Sequence, residues 1–191
     1  TIAASAQGHS EYLLKTHGDA HRRGVVIAYD CRRYPDVPHY NHTLPNPVRG
    51  ITSRDLALVA ASVYTANGIP VHFFVRNSTT PNLSFAIRAL NAVGGVNISA
   101  SHNPKEDNGK KIYNEDGGQL IPPFDQILVD TVSAIEKIKH LEISKAQEQK
   151  LFHEIPPDVD ALFVKSVVGL SLSKERNLKV VYAPLHGVGS V

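Results

Sequence analysis

The sequence predicts a three-layer α/β/α fold built on a mainly parallel, mixed sheet, followed by the start of a second, similar domain. Three observations predict it. Short β-branched runs alternate with segments of helical spacing, capping signals sit at the starts of the helical segments, and glycine or asparagine closes them.

The elements follow in order. Gly24-Val25-Val26-Ile27-Ala28-Tyr29 reads as a buried strand. A helix comes next, with Leu56, Val59, Ala60 and Val63 on one face, Thr52 and Asp55 spaced as a capping box, and Asn67-Gly68 at its end. Pro70 to Val75 reads as the second strand. Thr80-Pro81 then supplies an N-cap and first helical residue ahead of an apolar stripe at Leu83, Ile87 and Leu90. Gly94-Gly95 closes that helix, and Gly95 to Ser99 forms the third strand. Strands joined by helical crossovers lie parallel, so their C-terminal ends open on one edge, where sheets of this class bind ligands.

Past that edge lies a polar loop from Ala100 to Gly109. Lys111 to Tyr113, a turn at 115–118 and Gln119 to Ile121 suggest a β-hairpin. A helix carrying Leu128, Val132 and Ile135 follows Pro122-Pro123, and 136–150 is charged enough to be a solvated surface or linker. The segment Ile155-Pro156-Pro157 marks a boundary, giving a first domain over 1–155 and an incomplete second one over 156–191. In the latter, Ala161, Val164 and Val168 predict a helix and Leu178 to Tyr182 a strand. Tyr34 to Gly50, with four prolines, reads as a long surface loop.

Composition narrows the functional classes. Of 191 residues, 42% are hydrophobic and 20% charged, with no apolar run long enough to cross a bilayer, so a soluble protein without a membrane role is expected. The net charge of +2 is scattered rather than gathered in a stripe, which argues against a nucleic-acid partner. Cys31 is the sole cysteine, excluding an internal disulfide and fitting a reducing, cytoplasmic setting. No signal peptide is visible, and the first residue, Thr1, together with the apolar end at Val191, suggests a fragment or trimmed chain.

The segment Ser99 to Lys111 carries the chemistry. A hydroxyl nucleophile needs electrostatic help, a backbone that can approach an anion, and cations for the phosphoryl oxygens. Ser101 stands at the ligand edge, His102 beside it, Asn103 offers an amide, and Lys110 and Lys111 belong to the same loop. Taken alone, these residues support an anion site, and they equally suit an ordinary turn in which Ser and Asn bond their own backbone. Asp30 and Arg32, at the end of the first strand, could frame the cleft or simply hold the loop. His186 with Gly187 and Gly189 fits a strand-exit turn better than a phosphate cradle, and the remaining histidines lack metal-ligand spacing.

The run Gly95 to Pro104, Gly-Val-Asn-Ile-Ser-Ala-Ser-His-Asn-Pro, resembles the active-site signature of the α-D-phosphohexomutases, the family of phosphoglucomutase and phosphomannomutase. Val26 to Arg32, Thr80 to Ala86, Asn108 to Lys111 and Val181 to Gly189 agree in order and spacing. Lys105 to Gly109 and Pro184 to Gly189 lean toward the phosphoglucomutase and phosphopentomutase branch.

The resemblance implies reversible phosphoryl transfer between C1 and C6 of a hexose phosphate through phospho-Ser101 and a hexose 1,6-bisphosphate. It implies Ser101 as nucleophile, with Lys111 and His102 as its catalytic neighbours. Asn103, Lys110 and Arg32 are expected to bind substrate or phosphate. Mg²⁺ is the implied cofactor, with the phosphate on Ser101 as one ligand and the others in later domains of the same enzyme. A four-domain enzyme would place those domains beyond this chain, so the chain alone is expected to be inactive as a mutase. A serine hydrolase is disfavoured because no Gly-x-Ser-x-Gly elbow is present. The remaining alternative is a non-catalytic sugar-phosphate-binding module.

Overall fold

The computed structural model describes residues 1–34 and 48–189. Most of the predicted Tyr34 to Gly50 loop therefore lies outside the described residues.

Five strands form one sheet. They are β1 (Val25–Tyr29), β2 (Val71–Phe73), β3 (Gly94–Ile98), β4 (Lys110–Asn114) and β5 (Phe152–Glu154), in spatial order β4-β3-β1-β2-β5. β1 is parallel to both β2 and β3, and β5 is parallel to β2. β4 runs antiparallel to β3 and makes the sheet mixed, as the sequence predicts.

Side-chain alternation along β1 divides the core. Val25, Ile27 and Tyr29 enter one apolar cluster with residues of α1 (Ile2–Thr16), α3 (Ser53–Ala66), α5 (Phe124–Ser133) and α6 (Ile143–Glu148). Val26 and Ala28 enter the other, with α4 (Thr80–Ala89) and α7 (Pro157–Gly169). The short α2 (Ala20–Arg23) leads into β1. The two faces are thus covered by separate helical layers. β1 is buried along its whole length, which explains its unbroken apolar run.

The caps form largely as the sequence predicts. Thr52 accepts from the Asp55 amide, while the Asp55 carboxylate accepts from the Thr52 amide at 2.8 Å. At α4 the cap is Thr79, one residue before the predicted Thr80, and Pro81 follows within the first turn.

The remaining expectations are met in full or in part, and one is corrected. The predicted hairpin between Lys111–Tyr113 and Gln119–Ile121 forms in a short version: Tyr113 bridges Gln119, the Asn114 amide donates to the Gly118 carbonyl at 2.8 Å and the Leu120 amide to the Ile112 carbonyl at 2.9 Å, while the other edge of β4 pairs with β3. The charged stretch 136–150, expected to be a solvated surface or linker, is mostly exposed, and within it α6 buries Ala146 and leads into β5. The predicted strand Leu178 to Tyr182 is not formed. Its residues are exposed, Val181 almost fully, with no strand among the described residues to pair with. The helix α1 carries no expectation from the sequence, since its buried face mixes Ala6, Tyr12 and Leu13 with Gln7, His9 and Ser10. The helix predicted around Ala161, Val164 and Val168 forms as α7. It packs on α4, with Val159 buried and the Phe85 and Phe163 rings 5.6 Å apart.

Candidate active site

The site grows from two neighbouring strand ends. β1 and β3 are adjacent and parallel, so the residues after Tyr29 and after Ile98 emerge side by side, tied by the Asp30 amide donating to the Ile98 carbonyl at 3.0 Å. The β3 exit leads into the loop 99–109, and β4 returns along β3 with Lys111 opposite Asn97. That antiparallel register brings a lysine back to the serine that left the strand ten residues earlier.

Ser101 is exposed at the mouth and sits in the left-handed backbone region, φ 55°. That region is uncommon for a residue with a Cβ and costs on the order of 1–3 kcal/mol unless its surroundings hold it. Two contacts hold it here. The Ser101 amide donates to Ser99 Oγ at 3.1 Å, and its carbonyl accepts from Arg32 Nη2 at 2.9 Å. The Lys111 ammonium donates to Ser101 Oγ. A hydroxyl with a cation on its oxygen is suited to carrying a phosphoryl group, whose charge the same ammonium would offset.

The cavity in front of Ser101 measures about 710 Å³ and is lined by Asp30, Arg32, Arg33, His102 and Lys105 among others. Its charged lining is predominantly cationic. A second cavity, of about 740 Å³ and lying against α7, pairs one cation, Arg76, with two carboxylates, Glu154 and Asp160. That balance is wrong for a phosphate, and the cavity at Ser101 is the better candidate.

The other sequence-derived residues divide into two groups. His102 is exposed and lines the Ser101 cavity. Asn103 lines it too, but its side-chain amide donates to Asp107 Oδ2 at 3.2 Å and braces the loop. Arg32 lies under the loop, with its guanidinium bound to loop carbonyls. Lys110 is not brought to Ser101. Successive residues of a strand point to opposite faces, and its ammonium donates to Ser5 O at 3.1 Å, 5.5 Å from the Tyr64 ring. Burial there lowers the Lys110 pKa to about 7.

Behind the loop lies a network that sequence reading missed. Asp30 Oδ1 accepts from Ser53 Oγ at 2.5 Å, and Ser53 Oγ accepts from Asn108 Nδ2 at 2.8 Å. Asn108 Oδ1 in turn accepts from the Gly109 amide at 2.8 Å. Ser53 is fully buried at the start of α3, and nothing local marks it, because a serine beside a cap reads as part of the cap. The Asn108-Gly109 pair was the one signal available.

Among the described residues no group of three or more His, Cys, Asp or Glu side chains is arranged to hold a metal ion. The described residues therefore do not build a Mg²⁺ site on their own.

Comparison with known proteins places this geometry in context. A family model described as phosphoglucomutase/phosphomannomutase, alpha/beta/alpha domain I, matches residues 50–139. A phosphopentomutase of Mus musculus is 32% identical over 99% of this chain and 30% of its own length. A phosphoglucomutase of Staphylococcus epidermidis is 34% identical over 98% of this chain and 31% of its own length. The chain thus spans about a third of the length of the curated relatives it matches. A solved phosphoglucomutase/phosphomannomutase family protein from Burkholderia thailandensis superposes with a TM-score of 0.57 at 20% identity, covering 88% of this chain and 31% of the other, and shares the fold.

Proposed function

This chain belongs to the α-D-phosphohexomutase family, and we propose that it supplies the phosphate-carrying domain of a sugar-phosphate mutase. The single observation that carries the proposal is the Lys111 ammonium on Ser101 Oγ, at the mouth of a cationic cavity.

In the proposed step, Ser101 Oγ attacks a phosphorus of a sugar bisphosphate. The new bond is Oγ–P, and the bond between phosphorus and the sugar oxygen breaks. The hydroxyl proton passes to His102 and from it to water, and water supplies the proton that the sugar oxygen takes on leaving. Reversal at the other sugar position returns the phosphate, so a 1-phosphate and a 6-phosphate interconvert. Lys111 offsets charge on the phosphoryl oxygens throughout. Mg²⁺, when bound, would add further charge neutralisation, with the phosphate on Ser101 as one ligand and the rest from outside the described residues.

Residues 1–155 would form the first domain and 156–191 the start of the next. The apolar side chains left exposed over 170–185 suit a second unit in that stretch, while α7 packs on α4 with Val159 in the first core. The segments Lys105 to Gly109 and Pro184 to Gly189 resemble the phosphoglucomutase and phosphopentomutase branch and so leave a hexose and a pentose both open; the phosphoglucomutase-type hexose reaction is the reading put forward for test.

Intact-mass measurement of the chain after incubation with glucose 1,6-bisphosphate or ribose 1,5-bisphosphate tests both levels. A gain of about 80 Da from the hexose donor, reversed by phosphatase and absent in Ser101→Ala, is expected. A preferential gain from the pentose donor would move the substrate assignment. A gain that survives Ser101→Ala would overturn the proposal.

A further inference from the structure

Arg32 has a property that a phosphate-binding arginine does not share. A guanidinium has five N–H donors in a planar fork, and here all five are taken by the protein. Nε donates to Asp30 Oδ2 at 3.0 Å. Nη1 donates to the Pro104 carbonyl and, at 3.0 Å, to the Asp107 carbonyl. Nη2 donates to the carbonyls of Ser101 and Asn103, each at 2.9 Å. Four carbonyls of a single seven-residue stretch therefore converge on one side chain, and one of them belongs to the residue in the left-handed conformation.

The base of the fork is fixed as firmly as its tip. Asp30 Oδ1 accepts from the Arg32 amide at 3.0 Å and from the buried Ser53 hydroxyl, which Asn108 at the far end of the loop also binds. The result is a closed circuit from β1 through Arg32 into the loop and back through Asn108 and Ser53. Only 12% of the Arg32 side chain and 14% of that of Asp30 is exposed, so the pair is screened little by solvent.

We infer that Arg32 is a positioning residue: its guanidinium is the template on which the Ser101 loop folds, it sets the serine's backbone conformation, and it takes no phosphate itself. The inference rests on the carrier reading of Ser101 for its chemical consequence, while its structural half stands independently. The fork geometry matters as well as the charge. Lysine offers three donors around a point and cannot meet four carbonyls and a carboxylate in one plane.

The test uses the 191-residue chain as wild type, Arg32→Ala and Arg32→Lys, with two readouts. Amide hydrogen exchange follows Asn103 and Asp107, whose amides donate to the Ala100 and Pro104 carbonyls across the loop. Phosphoryl uptake from glucose 1,6-bisphosphate is followed as a function of donor concentration. In both variants loop protection is expected to be lost while sheet amides stay protected. The maximal uptake rate should fall about 100-fold, the scale of an ångström-sized misplacement, with half-saturation unchanged. Guanidinium ion, added well below denaturing concentrations, should restore loop protection and uptake to Arg32→Ala, and ethylammonium should not. Should Arg32→Ala fail to fold, Asp30→Asn, which frees the base of the fork, is expected to give the same pattern at smaller amplitude.

Arg32→Lys behaving as wild type would overturn the template role. A raised half-saturation with an unchanged maximal rate would overturn it too, by placing the guanidinium on the donor's phosphate. If the wild type takes up no phosphate at all, the carrier reading fails, and the exchange data alone decide the role of Arg32.

Discussion

Val25-Val26-Ile27-Ala28-Tyr29 and Leu178-Lys179-Val180-Val181-Tyr182 look like equivalent strands as written and have opposite fates. The first is flanked by two parallel neighbours, and its Val25, Val26 and Ile27 are fully buried. The second has no sheet neighbour among the described residues, and Val180 and Val181 are 77% and 98% exposed. The difference teaches that β-branched residues only permit a strand. Pairing and a covering layer make one, because an isolated extended segment leaves its backbone groups and apolar side chains in water.

The sharpest way to break that comparison is to delete the same kind of side chain in each region. Ile27→Ala is expected to cost about 2–5 kcal/mol in urea denaturation, since it leaves a cavity between packed layers. Val181→Ala is expected to change stability by no more than about 0.5 kcal/mol. Equal effects would mean that the two segments are not in different environments.

A second contrast sits within β4, between neighbouring lysines on opposite faces. Burial lowers the Lys110 pKa from its ordinary 10.5 to about 7. Between those values the unfolded chain holds a proton that the folded chain lacks, so stability should rise with pH from about 7 to 10.5. A rise of roughly 1–3 kcal/mol is expected, and Lys110→Met should flatten it. Lys111→Met should leave that slope in place and slow phosphoryl uptake. On the acid side, burial first and then the charge of Lys110 hold His9 well below its usual pKa. The folded state there resists protonation, so stability should fall as pH drops below about 6.5 in both lysine variants.

The smallest effect concerns the helix that anchors the network behind the loop. Thr52→Ala removes the side-chain oxygen that accepts the Asp55 amide and should cost about 1 kcal/mol by thermal or urea unfolding. A cost near zero would mean that the capping box adds nothing to what Ser53 and Asp30 already fix.

Legibility in the sequence followed the range of the interactions involved. The three central strands, the capped helix α3 and the Pro81 start of α4 were readable because periodicity and capping act over a few residues. α1 was not, because Gln7, His9 and Ser10 are buried through contacts such as His9 Nδ1 with the Tyr64 hydroxyl at 2.7 Å, 55 residues away. The turn after β4 was readable because it is local, whereas the pairing of the other edge of β4 with β3 was not, because that partner lies across a loop. At the site, Ser101, His102 and Lys111 were found together because one loop and its return strand carry them. Lys110 was grouped with them by adjacency, which strand alternation undoes. The full engagement of Arg32 is invisible in any local window, since four of its five bonds go to carbonyls about 70 residues away and only the bond to Asp30 is local.

The account turns on which oxygen carries phosphate. After incubation with glucose 1,6-bisphosphate, fragmentation mass spectrometry of the digested chain can assign the modified residue among Ser53, Ser99 and Ser101. Phosphate confined to Ser101 and strongly diminished in Lys111→Met is the predicted result. Phosphate on another hydroxyl, or on Ser101 to the same extent without the lysine, would contradict it.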